Sequence, residues 1–195
     1  KGLLYYRFPN ATKGTISSIT TKEFCSVIGD GKSSWGKLIE QNIRVTHRIK
    51  QLKMRHADCW EHLSVVGEQK LIEPIGSHNL GTKFLSGQHL NSPELAACLD
   101  HWADQLPGFY YGRFDIKYVS WEALIEGRDF KIMEINGVNA EPTHIYDPGH
   151  NIKEAYRDIF YHMKVIHQIS QQNRSLGIVP KRLKPFLAEL IHTAT

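Results

Sequence analysis

The first hydrophobic pattern along the chain lies within its first twenty residues. Residues 3–8 and 15–20 are rich in aromatic and β-branched types, and the turn-forming run Pro9-Asn10-Ala11-Thr12-Lys13-Gly14 separates them, so the pair reads as two strands of a hairpin. A short helical pattern follows at Trp35, Leu38 and Ile39, residues 46–66 read as helix, and residues 70–75 read as a strand interrupted by Pro74. The clearest helix begins after Ser92. This residue is a good N-cap, Pro93 suits the first helical position, and Leu95, Leu99, Trp102 and Leu106 form one stripe before Pro107-Gly108 ends it. Two strands are expected at 109–119 and 130–135, with a helical turn between Ser120 and Gly127. Asn151, with Glu154 three residues on, has the form of a capping box. The helix it opens should bury Ile152, Tyr156, Ile159, Met163 and Ile166. Past Ser170 the chain turns polar, Pro180 and Pro185 break it, and a final amphipathic piece is expected at 185–191.

Composition narrows the class. The 195 residues are 41% apolar and 23% charged, ordinary for a globular domain with its own core. No apolar run reaches the ~18–20 residues that span a bilayer, so no membrane partner is expected. Cys25, Cys59 and Cys98 are odd in number and widely spaced, with no C-x-x-C pair. That argues against a disulfide framework or a thiolate zinc site and fits a cytoplasmic location. The chain starts at Lys1 without an initiator Met and enters a strand pattern at once, so further sequence is expected on the N-terminal side. The net charge of +4 is spread out, and its densest cluster is His47 to His56. A helix with a solvated basic face explains that cluster better than a nucleic-acid surface, and no nucleic-acid partner is expected.

The chemistry concentrates in Gly112-Arg113-Phe114-Asp115-Ile116 and Lys131-Ile132-Met133-Glu134-Ile135-Asn136-Gly137. Strand side chains alternate faces, so Arg113 shares a face with Asp115, and Glu134 with Asn136, while Phe114, Ile116, Met133 and Ile135 point the other way. If the two strands are neighbours, the four polar groups converge. Such alternation is often only a wet sheet face, but Asp and Asn are disfavoured in strands. Two carboxylates and an amide oxygen suit Mg²⁺, a hard cation that takes oxygen ligands, and an arginine beside them suits a phosphoryl group.

At these residues the chain resembles the ATP-grasp ligases, which include D-alanine–D-alanine ligase and the enzymes that add glutamate to ribosomal protein S6. The likeness is to the C-terminal part of that fold, loosely over residues 3–28 and well over 70–166. It implies an α+β fold of ATP-grasp type, with a mostly antiparallel sheet packed against helices and incomplete at the N-terminal side. Residues 1–170 would be the C-terminal part of the ATP-grasp domain and 171–195 an extension. It implies Mg²⁺ on Asp115, Glu134 and Asn136, with Arg113 as the catalytic phosphate contact. Arg7, His78, Asn79 and Lys83 would lie near the ATP phosphates, the last three in a segment resembling the family's Asn-x-x-Gly stretch. Glu141, Thr143 and His144 would line the acceptor site. The activity implied is ATP-dependent carboxylate–amine ligation through an acyl phosphate, with ATP and Mg²⁺ as cofactors and small-molecule carboxylate and amine substrates. The family's first lobe, with its lysine and glycine-rich loop, would precede residue 1, so this stretch alone should be inactive. The alternative is a nucleotide-binding or interaction domain of the same fold without turnover.

Gly29-Asp30-Gly31-Lys32-Ser33-Ser34 imitates a P-loop, but that motif needs glycine at position 26, which is Ser. A similar Gly-Asp-Gly-Lys-Ser-Thr stretch opens a short helix in some ATP-grasp ligases, and a simple turn with an N-cap explains it nearly as well. His162 and His167 are expected to pack or to be solvated.

Overall fold

The computed structural model describes residues 1–182, 184–186 and 188. The fold is α+β, a mostly antiparallel sheet packed with helices, and the chain divides into two compact units. One comprises residues 1–2, 18–90 and 143–155, the other residues 3–17 and 91–142 with the chain from 156 onward.

The second unit carries the polar strands. Its sheet holds β1 (Gly2–Tyr6), the first part of β2 (Thr15–Glu23), β6 (Tyr111–Tyr118) and β7 (Phe130–Asn136), in the order β2-β1-β6-β7. Helix α3 (Pro93–Asp104) begins as its sequence requires, with the Ser92 side chain accepting from Leu95 N and Pro93 in the first turn. Leu95 and Leu99 are buried. Alternation sends the β1 side chains to opposite faces of the sheet. Tyr5 turns toward α3, where its hydroxyl donates to Asp100 at 2.7 Å, and the ring packs edge-on to Phe114 at 6.4 Å. Leu4 and Tyr6 turn the other way and form a cluster with Tyr111, Ala140, Val165 and Ile169, the last two from α5 (Ile152–Ser175). The connection between β6 and β7 holds α4 (Trp121–Ile125), capped by Ser120 through the Ala123 N–H.

Gly14 sits on the buried Tyr5 ring, and a Cβ there would fall inside the ring's van der Waals envelope. Asp100 holds the ring from its far end and also accepts from Gly14 N at 2.7 Å. Gly14→Ala is therefore expected to destabilise the chain by about 1–3 kcal/mol, as overpacking does where nothing can move aside. The check is the denaturant midpoint, and an unchanged midpoint would show that the ring yields.

In the first unit, the last part of β2 pairs antiparallel with β5 (Lys83–Ser86), Thr20 opposite Ser86 and Glu23 opposite Lys83. A small ladder joins β3 (Ser26–Ile28) to β4 (Gln69–Leu71). These pack with α1 (Trp35–Glu40) and α2 (Ile49–Arg55) around Cys25, Val27, Trp35, Ile39, Val45, Leu52, Trp60 and Ile72. The Gly-Asp-Gly-Lys-Ser-Ser stretch is a turn followed by a cap: Asp30 accepts from the N–H groups of Lys32 and Ser33 at 2.8 and 2.7 Å, and Ser34 caps α1 through Lys37 N. Those N–H groups hold the Asp30 carboxyl well below the usual carboxylate range. Gly31 has φ +70, which a side chain would strain.

Three expectations need correction. The helix expected in 46–66 is α-helical only over Ile49–Arg55, with 3₁₀ turns at Thr46–Arg48 and Ala57–Cys59. Residues 64–68 instead bond back to the loop around Gly29: Ser64 N donates to Ser33 O, Gly29 N to Glu68 O and Gly67 N to Gly29 O. The strand read at 70–75 is limited to Gln69–Leu71, because Ile72 N and Glu73 N turn to Cys25 O ahead of Pro74. Helix α5 buries His162, Val165 and Ile169, whereas Ile152, Tyr156 and Met163 of the expected stripe are exposed. The capping box does form, with Glu154 N donating to Asn151 Oδ1 at 3.0 Å. Most of the amphipathic piece expected at 185–191 lies outside the described residues. Among the described residues no helix is long and apolar enough to cross a membrane.

Candidate functional site

Strands β6 and β7 are antiparallel neighbours, and their register sets Arg113 opposite Asn136 and Asp115 opposite Glu134, with Phe114 opposite Ile135 between them. Directly opposed residues hold their Cβ atoms ~4.5–5.5 Å apart, so the four polar side chains project from one small patch. The ladder then slips. Ile116 pairs with Ile132, leaving Met133 as the extra residue of a bulge beside Asp115 and Glu134. Bulges bend the strand and re-aim its side chains. Met133 is left 66% exposed and Ile135 40%, whereas Phe114 is fully buried against Tyr5 and Phe109.

By alternation from Tyr111, Arg113 and Asp115 lie on the sheet face that meets α5. Both are largely enclosed, their side chains 17% and 13% exposed, and Glu134 is open to solvent. The Arg113 guanidinium lies along Asp115, with Nε 3.3 Å from Oδ1 and Nη2 3.4 Å from Oδ2. At those distances the ion pair is loose. Arg113 Nε, though 3.3 Å from Asp115 Oδ1, is not aligned for a hydrogen bond to it, and Asn136 Nδ2 is likewise shut off from solvent without a hydrogen bond among the described residues. Two enclosed donors without hydrogen bonds, beside two carboxylates, form a patch that can take an anion on one side and a cation on the other.

Tyr111, two residues before Arg113, is fixed from behind. Its hydroxyl is 3.1 Å from Ala140 O and 3.0 Å from His162 Nδ1. A carbonyl only accepts, so the single phenol proton goes to Ala140 and His162 must donate from Nδ1. Burial pushes the Tyr111 phenol up to about 12. A buried histidine is what the apolar pattern skips: its spacing of three and seven to Val165 and Ile169 was the available signal for the buried face.

The remaining sequence candidates have other company. Arg7 pairs with Asp104 at the end of α3, on the Tyr5 side of the sheet, and is not brought to the Arg113 face. In the other unit, the His78 ring rests against Phe84 and Tyr146, with centroids 5.5 and 5.3 Å away. Asn79 lies exposed in the same 3₁₀ turn, its carbonyl accepting from His47 Nε2 at 3.3 Å. Lys83 is in an exposed pair with Glu23 at 2.6 Å. Thr143 is buried, its hydroxyl 2.8 Å from that of Thr20, and His144 Nδ1 is 2.7 Å from Ser18 Oγ. Glu141, in the unit of the polar strands, is exposed.

One residue absent from the sequence-based candidates orders the loop after these positions. Asp147 accepts from Ser86 N at 2.6 Å and Gly149 N at 2.7 Å, which holds its carboxyl below the ordinary value. Comparison of the chain with protein-family models and with curated proteins finds no match.

Proposed function

We propose that this chain carries the metal and phosphate end of an ATP-grasp active site, in a Mg²⁺-dependent ligase that joins a carboxylate to an amine. The observation behind this reading is the register that sets Asp115 opposite Glu134 and Arg113 opposite Asn136. The donor set suits both ligands, with carboxylate oxygens for a hard cation, and the enclosed Arg113 Nε–H and Asn136 Nδ2–H for phosphate oxygens.

In this reading Asp115 and Glu134 would hold Mg²⁺, joined by Asn136 through its amide oxygen. Mg²⁺, when bound, offsets negative charge on the phosphates of the nucleotide. Arg113 donates to the transferring phosphoryl group, and Asp115 holds the guanidinium in line along the strand. The Tyr111–His162 contact fixes the strand end that presents Arg113. The substrate carboxylate takes the γ-phosphoryl group and ADP leaves. The amine nitrogen then attacks the acyl carbon, and phosphate departs as the amide forms and a proton is lost. Positioning and charge complementarity carry most of such a transfer, and the patch offers both.

Manganese, which replaces magnesium and broadens nearby NMR signals, tests the site directly. Titrating Mn²⁺ with ATP should selectively broaden the amides of residues 113–116 and 133–137. Asp115→Asn should remove that effect. Uniform broadening, or selective broadening that survives the substitution, would count against the assignment.

A further inference from the structure

We infer that the groove between the start of β6 and the last turns of α5 binds a small, flat aromatic anion. The cavity there measures about 450 Å³, within the ~300–1,000 Å³ usual for small-molecule sites. Its walls are apolar and combine the rings of Phe109, Tyr110 and Tyr111 with the aliphatic side chains of Val138, Ile166 and Ile169. Flat ligands are held well by such walls, because ring faces give large contact area at little conformational cost.

The polar groups are few and lie together on α5. Arg174 lines the cavity and makes no ion pair among the described residues, and no described lining residue is a carboxylate. Beside it, Asn173 Oδ1 is an acceptor held out of water with no donor among the described residues. A ligand with an acidic group and an adjacent N–H or O–H matches both.

Local hydrogen bonds reduce the negative potential that a helix C-terminus would set against an anion. The last carbonyls of α5 are taken up by the N–H groups of Leu176, Gly177 and Ile178, through the turn that Gly177 makes at φ +85. That turn also brings Ile178 and Pro180 to the cavity wall. Gly137 and Val138 line the cavity directly after Asn136, so an occupant would touch the end of the strand that bears the candidate site. The binding inference itself does not depend on the ligase reading.

The test uses 3-hydroxy-2-naphthoate as probe, whose hydroxyl supplies the donor for Asn173 Oδ1, and 3-hydroxy-2-naphthamide as its uncharged counterpart, each titrated calorimetrically into the whole chain. The hydroxynaphthoate is expected to bind saturably, with Arg174→Gln weakening it about tenfold and changing the hydroxynaphthamide by less than about twofold. Val138→Trp, at a 57% exposed position on the wall, should abolish binding of both without disturbing the core. Absence of saturable binding would overturn the proposal, as would binding that survives Val138→Trp. Equal loss of both probes in Arg174→Gln would overturn the preference for an anion.

Discussion

Glu73→Gln is expected to lower the stability of the chain by about 3 kcal/mol at neutral pH, more than any other substitution proposed for this protein. Glu73 is completely buried. Its Oε2 accepts from Arg48 Nη1 at 3.0 Å and from Arg55 Nη1 at 2.6 Å, and Oε1 accepts from Ile75 N at 3.4 Å. Removing one partner from a buried ion pair costs ~3–5 kcal/mol, because the remaining charge is left uncompensated. The low end applies here because Arg55 is nearly half exposed and can recover water, whereas Arg48 is 12% exposed and cannot. Burial alone would raise the Glu73 carboxyl, but the two guanidiniums outweigh it and hold it below its ordinary value of 4.5. A depressed carboxyl contributes stability that is fully present above the unfolded value and is lost as pH falls through the folded one. The gap between wild type and Glu73→Gln should therefore be constant above about pH 5 and close progressively in more acid solution. Urea midpoints measured across that range decide it, and a gap below about 1 kcal/mol at pH 7 would show that the arginines find other partners.

The Glu73 cluster also shows why the first unit is hard to read from sequence. Arg48 and Arg55 belong to a run whose density suggests a solvated helical face, yet each sends its guanidinium to one buried carboxylate more than fifteen residues away. No local pattern announces such a partner. Likewise, the loop near Gly29 is completed by backbone groups of residues 64–68, which periodicity cannot register. The second unit is more legible because its signals are local. Ser92-Pro93 starts a helix by satisfying its own first turn, and β6 and β7 flank a short connection that makes them neighbours. Helix α5 lies where its pattern places it along the chain but is rotated about its axis. Tyr156 and Met163 outscore a histidine on any apolar scale, yet His162 is the residue that Tyr111 holds inside.

The polar patch is legible for the same reason as the strands that bear it. Strand alternation alone groups Arg113 with Asp115 and Glu134 with Asn136, and the short α4 connection supplies the pairing. What alternation cannot give is register. A slip by one residue would set Phe114 against Glu134 and scatter the group, since each side chain would change face. The bulge at Met133 is equally invisible, because an extra residue leaves no compositional mark. The outlying candidates rest on resemblance rather than on a local physical signal. Arg7 and Lys83 show the consequence, since each is engaged by a carboxylate, Asp104 and Glu23, that is distant along the chain and that no local pattern links to it.

The decisive substitution for the ligase proposal is Glu134→Gln, expected to reduce ATP-dependent turnover of the intact protein about a thousandfold or more while leaving the fold in place. The magnitude follows from the role: a charged ligand that stabilises transferring phosphate is worth at least as much as an oxyanion-hole donor, ~10²–10³ in rate. The fold should not suffer, because Glu134 is exposed and makes no hydrogen bond or ion pair among the described residues. A surface substitution of that kind changes stability by less than about 0.5 kcal/mol. This separation makes Glu134 a cleaner probe than Asp115, whose replacement would also release the Arg113 guanidinium it holds along the strand. The measurement is phosphate release from ATP in the presence of carboxylate and amine mixtures, with the denaturant midpoint taken on the same preparation. Lost turnover at an unchanged midpoint is what a metal ligand predicts. Turnover near that of the wild type would mean that the two carboxylates face each other across the strands only as part of a polar sheet surface, and the metal assignment would fall with it.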